Sequence, residues 1–92
     1  MACGGSRIDR DGYFLDSTVL TDVTDDMTIA KEEIFGPVMS IIKFKTIDEV
    51  IQRANNSQYG LVGGVITKNL DNALKISNEL RIGLIFINCW MA

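Results

Sequence analysis

Lys31-Glu32-Glu33-Ile34-Phe35-Gly36-Pro37 is the stretch on which the reading of this chain turns. Two adjacent carboxylates precede an isolated aromatic, and Gly36-Pro37 then stops any helix. Pro37 biases Gly36 toward extended backbone, so the chain is expected to leave the turn as a strand, and Val38-Met39-Ser40-Ile41-Ile42-Lys43-Phe44 supplies one. The heptad therefore reads as a stiff loop that delivers a carboxylate and a ring to one end of a sheet. That pairing suits a ligand with hydroxyls beside a flat ring. The bland alternative is a solvated acidic turn next to a core phenylalanine.

Upstream, Tyr13 to Leu20, extending toward Val23, is rich in aromatic and β-branched residues and predicts a strand. Residues 1–12 read as loop or flexible linker. Gly4-Gly5 lacks the Lys-Ser/Thr and following helix of a phosphate cradle. Thr21 to Asp26 is an acidic turn without the further oxygen ligands that calcium needs.

Downstream of the Val38–Lys45 strand, Thr46-Ile47-Asp48-Glu49 matches a capping box, with Thr46 as N-cap and Glu49 three residues on. Ile47, Val50, Ile51 and Ala54 recur at i, i+3, i+4 and i+7, one apolar helical stripe that Asn55-Asn56 ends. Gly60 to Thr67 is a charge-free strand in which Gly63-Gly64 signals close approach by another backbone or a ligand. Asn69 can cap a second helix bearing Leu70, Ala73, Leu74, Ser77 and Leu80, with Gly83 as its stop. Leu84-Ile85-Phe86-Ile87 is the last strand. Short amphipathic helices between charge-poor strands predict an α/β fold, a parallel βαβαβ piece preceded by an extended strand and the Glu-Glu-Ile-Phe-Gly-Pro loop. Ligands of such sheets gather at the carboxyl ends of the strands, which puts Thr67-Lys68 and Asn88-Cys89-Trp90 on the functional rim.

The 92 residues make at most one small domain, and 47% hydrophobic content suffices for a core. A net charge of -3 with interleaved signs excludes a clustered basic face, so no nucleic acid and no membrane surface is expected as partner. With no histidine, Ser-His-Asp and Cys-His catalysis are excluded, and no metal site is expected. Cys3 and Cys89 are expected as free thiols in a reducing, cytoplasmic setting, with a mitochondrial parent left open.

Lys-Glu-Glu-Ile-Phe-Gly-Pro-Val resembles the signature of the NAD(P)-dependent aldehyde dehydrogenase superfamily. Gly12-Tyr13-Phe14, Thr18-Val19-Leu20, Met27-Thr28-Ile29-Ala30, Arg53-Ala54-Asn55-Asn56, Tyr59-Gly60-Leu61, Thr67-Lys68-Asn69-Leu70 and Ile87-Asn88-Cys89-Trp90 extend it in the family's order. The resemblance implies that residues 1–92 are part of a catalytic domain, one internal piece from the C-terminal half of a longer enzyme. In that enzyme a cysteine thiolate attacks the aldehyde, and the thiohemiacetal passes hydride to the nicotinamide. The resemblance further implies that Glu33 accepts hydrogen bonds from the ribose next to the nicotinamide, that Phe35 packs against that end of the NAD or NADP, and that Trp90 and Met91 help wall the substrate entrance.

Cys89 does not align with the nucleophile, which lies in a segment upstream of this one, so no catalytic residue is expected here. Packing or tunnel lining is the expected role of Cys89. Ser17, Ile82 and Phe86 depart from the family's usual proline, small residue and tryptophan. The chain alone is expected to be inactive and to hold no cofactor tightly. Its partners in the complete enzyme would be an aldehyde, NAD(P) and further copies in a homo-oligomer. Two rival expectations are an interaction module that associates with full-length subunits, and a truncated product without function.

Overall fold

The computed structural model describes residues 2–91 and divides into two compact units, Met1–Lys43 and Phe44–Ala92. In the first, β1 (Thr18–Leu20) pairs in parallel with β2 (Val38–Ser40), Thr18 opposite Val38 and Leu20 opposite Ser40. Between them lies the single-turn helix α1 (Thr28–Lys31). The sequence expectation ran both strands too long. Only three residues of each are regular, because extended backbone counts as strand only where a partner accepts its hydrogen bonds. Helix α1 was not anticipated, since one turn offers no periodicity to read.

Residues 2–12 contain no regular element, as expected of a loop, but their backbone has partners. The Ala2 N–H donates to Val19 O (2.8 Å), Val19 N–H to Cys3 O (3.1 Å), Asp16 N–H to Ser6 O (2.9 Å) and Ile8 N–H to Phe14 O (3.0 Å). Gly4 and Gly5 are positioned here. Gly4 has φ +74°, and an added Cβ would lie 2.2 Å from Ser17 O. Gly5 N–H donates to Thr18 Oγ1 (2.9 Å), whose own hydroxyl donates to Asp16 O (2.8 Å). The diglycine is thus a fitting against β1, and Thr18 is buried with its hydroxyl satisfied.

In the second unit, α2 (Ile47–Asn55) is followed by β3 (Val62–Val65), α3 (Leu70–Glu79) and β4 (Leu84–Ile87). Strands β3 and β4 pair in parallel, Val62 opposite Leu84 and Val65 opposite Ile87, and α3 packs on both strands and on α2. This is one parallel βαβ unit, and the α/β class with parallel pairing is as expected. Strand β2 belongs to the first unit, where its partner is β1.

Both helix starts form as their sequences dictate. The Glu49 N–H donates to Thr46 Oγ1 (3.1 Å), while the Glu49 carboxylate accepts from the Lys45 N–H (2.8 Å), one residue ahead of the cap. Asn69 Oδ1 accepts from the Asn72 N–H (2.9 Å). The end of α3 is a correction. It stops at Glu79, with Leu80 as extended cap, and Gly83 lies beyond. Asn55 performs the termination from α2. Its Nδ2 donates to Glu79 O (2.8 Å) and its Oδ1 accepts from the Arg81 N–H (2.7 Å). Gly83 instead opens β4, donating to Gly60 O (2.9 Å).

The buried apolar side chains among the described residues are Val23, Ile51, Val65 and Ala73, and none is sealed from solvent completely. The accessible area is 7369 Å². Two separate compact bodies of half the chain's mass would expose about 6,400 Å² together, so apolar surface is left open within the units themselves.

Candidate functional site

The signature loop begins where α1 ends. Glu32 turns to extended backbone (φ -106°, ψ 139°) while its N–H still donates to Thr28 O (2.9 Å). Two tight turns follow, with Gly36 N–H donating to Ile34 O (3.1 Å) and Val38 N–H to Gly36 O (2.8 Å). Pro37 O then accepts from the Thr18 N–H (2.8 Å), which ties the loop's exit to β1. The loop is therefore held at both ends, by a helical turn and by a sheet.

Its side chains face solvent. Phe35 is 93% exposed, so it is no core phenylalanine, and the bland reading of the turn fails on that residue. Glu33 is exposed as well and does not point into an apolar interior. The glycine at position 36 has no local cause. A Cβ there would meet only Ile34 Cγ2, at the ordinary contact distance of 3.9 Å.

The second group of expected site residues belongs to the other unit and is described by itself. Parallel pairing of β3 and β4 brings Thr67 and Asn88 to the same, carboxyl end of the sheet. They are joined there, Thr67 N–H donating to Asn88 Oδ1 (2.8 Å) and Asn88 N–H to Val65 O (2.9 Å). Asn88 sits in the left-handed region at φ 55°, a conformation its short amide tolerates. The chain reverses there, and Trp90 comes back over the strands. Its ring lies 5.4 Å from that of Phe86 at 56°, and an added Cβ on Gly64 would stand 3.4 Å from Trp90 Cε3. Trp90 is 60% and Met91 77% exposed.

Cys89 is exposed, which corrects the buried-packing half of the expectation and leaves tunnel lining in the complete enzyme untouched: it follows Asn88, whose backbone is left-handed. Cys3 and Cys89 are both unbonded thiols, as expected. No group of three or more metal-ligating side chains occurs among the described residues. No helix among them is long and apolar enough to cross a membrane. The sequence reading placed Asn88 on the rim and Asn55 at a helix end but missed the hydrogen bonds each makes. An asparagine just past a strand and one at a helix end were the available signals, but their partners lie 21 to 26 residues away.

The sequence pattern of the aldehyde dehydrogenase family matches residues 1–92. The chain is 56% identical over 91 residues to aldehyde dehydrogenase 1A1 of Mesocricetus auratus, covering 99% of this chain and 18% of that protein. It is 53% identical over 92 residues to retinal dehydrogenase 2 of Gallus gallus, again 18% of that protein. Among solved structures, the NAD+ complex of an aldehyde dehydrogenase from Bacillus cereus superposes with a TM-score of 0.92 at 51% identity, over 98% of this chain and 18% of that one. An NAD-dependent aldehyde dehydrogenase from Sinorhizobium meliloti gives a TM-score of 0.93 at 43% identity. The chain thus spans less than a fifth of each of the first two relatives named and of the Bacillus cereus chain, and its parallel strand pairs lie within a fold those solved structures share: the chain belongs to the aldehyde dehydrogenase family.

Proposed function

We propose that this chain is the cofactor-steadying segment of an NAD(P)-dependent aldehyde dehydrogenase, which oxidises aldehydes to carboxylic acids in its complete form. The observation that carries the reading is the signature loop, anchored at both ends yet presenting Phe35 and Glu33 outward. A carboxylate accepts two hydroxyl donors at once, so Glu33 is suited to the ribose beside the nicotinamide. Phe35 offers an apolar face that fixes the neighbouring ring, a proximity effect on the step that follows. Gly36, which nothing in the chain requires, fits a place where another group comes close to the backbone.

The chemistry that bound NAD(P) supplies is acceptance of hydride from the substrate carbon. This chain's own residues orient and exclude. Glu33 would fix the sugar, Phe35 the ring, and Trp90 with Met91 would wall the entrance against water. The reacting thiolate and the glutamate that activates water belong to segments other than these 92 residues. NAD is favoured over NADP by the solved relatives, several of which are NAD+ complexes. Relatives named as cytosolic favour the cytoplasm.

The test has two arms. Purified chain with aldehyde and NAD is expected to form no NADH, and a thiol-dependent rate above blank would overturn the assignment of the nucleophile elsewhere. In the Bacillus cereus enzyme carrying this segment in place of its own, Glu33→Gln is expected to lower kcat/KM for NAD by roughly ten- to a hundredfold, the worth of a charge-assisted hydrogen bond. An unchanged value would remove Glu33 from the cofactor site.

A second reading is favoured by the open surface: association with a full-length subunit. Among the described residues β2, β3 and β4 each pair along one edge only, which leaves edges for another chain. Monodisperse behaviour beside a full-length subunit, with no co-purification, would dismiss it.

A further inference from the structure

We infer that Gly64 is a specificity-determining residue, because its bare α-carbon is the seat that sets how far the Trp90 indole stands out from the sheet; this rests on the reading of Trp90 as part of the substrate entrance. Three features fix the ring. Asn88, in the left-handed conformation and bonded to the Thr67 N–H, reverses the chain at the end of β4. Phe86 then supports the indole from one side, its ring 5.4 Å away and tilted by 56°. Gly64 supports it from below, where an added Cβ would lie 3.4 Å from Cε3 and 3.5 Å from Cζ3 of Trp90.

A methyl group therefore just fits at position 64, and anything branched does not. The γ-carbons of a valine would have to occupy the volume of the indole's six-membered ring. The ring must then move away from the α-carbon of Gly64, with the Phe86 ring 5.4 Å off limiting movement on that side. With Trp90 at the entrance, a residue that touches no substrate governs the width available to it. The adjacent Gly63 acts differently: a Cβ there would meet Ile82 Cδ1 at 2.5 Å, not the indole.

Trp90 is the chain's single tryptophan, so its emission reports the seat directly. In the full 92-residue chain, Gly64→Ala is expected to leave the emission maximum in place, and Gly64→Val to shift it to the red with faster acrylamide quenching. Gly64→Ser, a milder displacement, carries the same test if the valine variant loses the far-UV circular dichroism of the wild type. In the Bacillus cereus enzyme carrying this segment, the ratio of kcat/KM for benzaldehyde over acetaldehyde is then compared. Trp90→Ala is expected to raise it and Gly64→Val to lower it, each by roughly tenfold. In the Trp90→Ala background the valine should have no further effect. An unchanged ratio in Trp90→Ala defeats the entrance reading, and the proposal with it. A ratio that responds to Trp90→Ala but not to Gly64→Val, or an emission maximum that valine and serine both leave in place, defeats the role of Gly64 alone.

Discussion

At the scale of single residues, the second unit depends on one amide that uses both of its halves. Asn55 donates to the last carbonyl of α3 and accepts from the N–H two residues on, so it ends one element and aims the next. Asparagine alone among side chains of that length offers both groups. Asn55→Ala is expected to cost about 1–2 kcal/mol, read as a lower urea midpoint at constant slope. Asn55→Asp should cost at least as much, because it turns a second acceptor toward the Glu79 carbonyl. Glu49 gives a pH signature. The Lys45 N–H, and then the Arg53 guanidinium at 3.0 Å, hold its carboxyl below the ordinary value of 4.5. A lowered value in the folded state stabilises fully above 4.5 and fades as pH falls through the folded-state value. The acid limb of the melting temperature should therefore flatten in Glu49→Gln. Lys75 runs the other way. Asp48 raises it above 10.5, so that link between α2 and α3 persists below 10.5 and is lost as pH climbs past the folded-state value. Both groups are solvated, and both effects are expected to be small beside that of Asn55.

At the scale of elements, β3 and the approach to β4 fit by trading size. Gly63 makes room for Ile82, whose Cδ1 would be 2.5 Å from any Cβ at position 63. Gly63→Ala is expected to destabilise by about 1 kcal/mol, since the obstacle is the far end of one side chain. In an Ile82→Ala background the same change should cost less, and a double-mutant cycle in urea measures the difference. Such pairs also show what the sequence could and could not disclose. Thr46, Glu49 and Asn69 were legible because a helix cap is a transaction among four residues. Leu84–Ile87 was legible because turn residues bracket an apolar run. Tyr13–Ser17 looked like strand and is not, and Ile41–Lys45 likewise, since the deciding partner is remote in sequence. Gly4-Gly5 looked like a linker because its reason, the carbonyl of Ser17, is thirteen residues off. Of the site, the heptad could be singled out from residue order, and its outward ring could not.

At the scale of the whole molecule, the thin core and the surplus area belong together. With apolar burial confined to a few positions, the chain is expected to bind a hydrophobic dye in its native state and to associate as concentration rises. Dye fluorescence with sedimentation velocity over a concentration series reads both, and a dye-negative monomer throughout would contradict it. A large and growing species that yields to a smaller defined one on adding a full-length relative would point to recruitment by a subunit.

Gly36 has one more implication. A Cβ on Gly36 would make only an ordinary contact with Ile34 Cγ2, and Phe35 stands outside any core, so substitutions at these two sites that keep the backbone N–H should be tolerated in a saturation survey scored on the solubility of these 92 residues alone. The same survey scored on growth that requires oxidation of a toxic aldehyde should invert the ranking. The positions that look most dispensable in isolation would then be those on which the host organism depends.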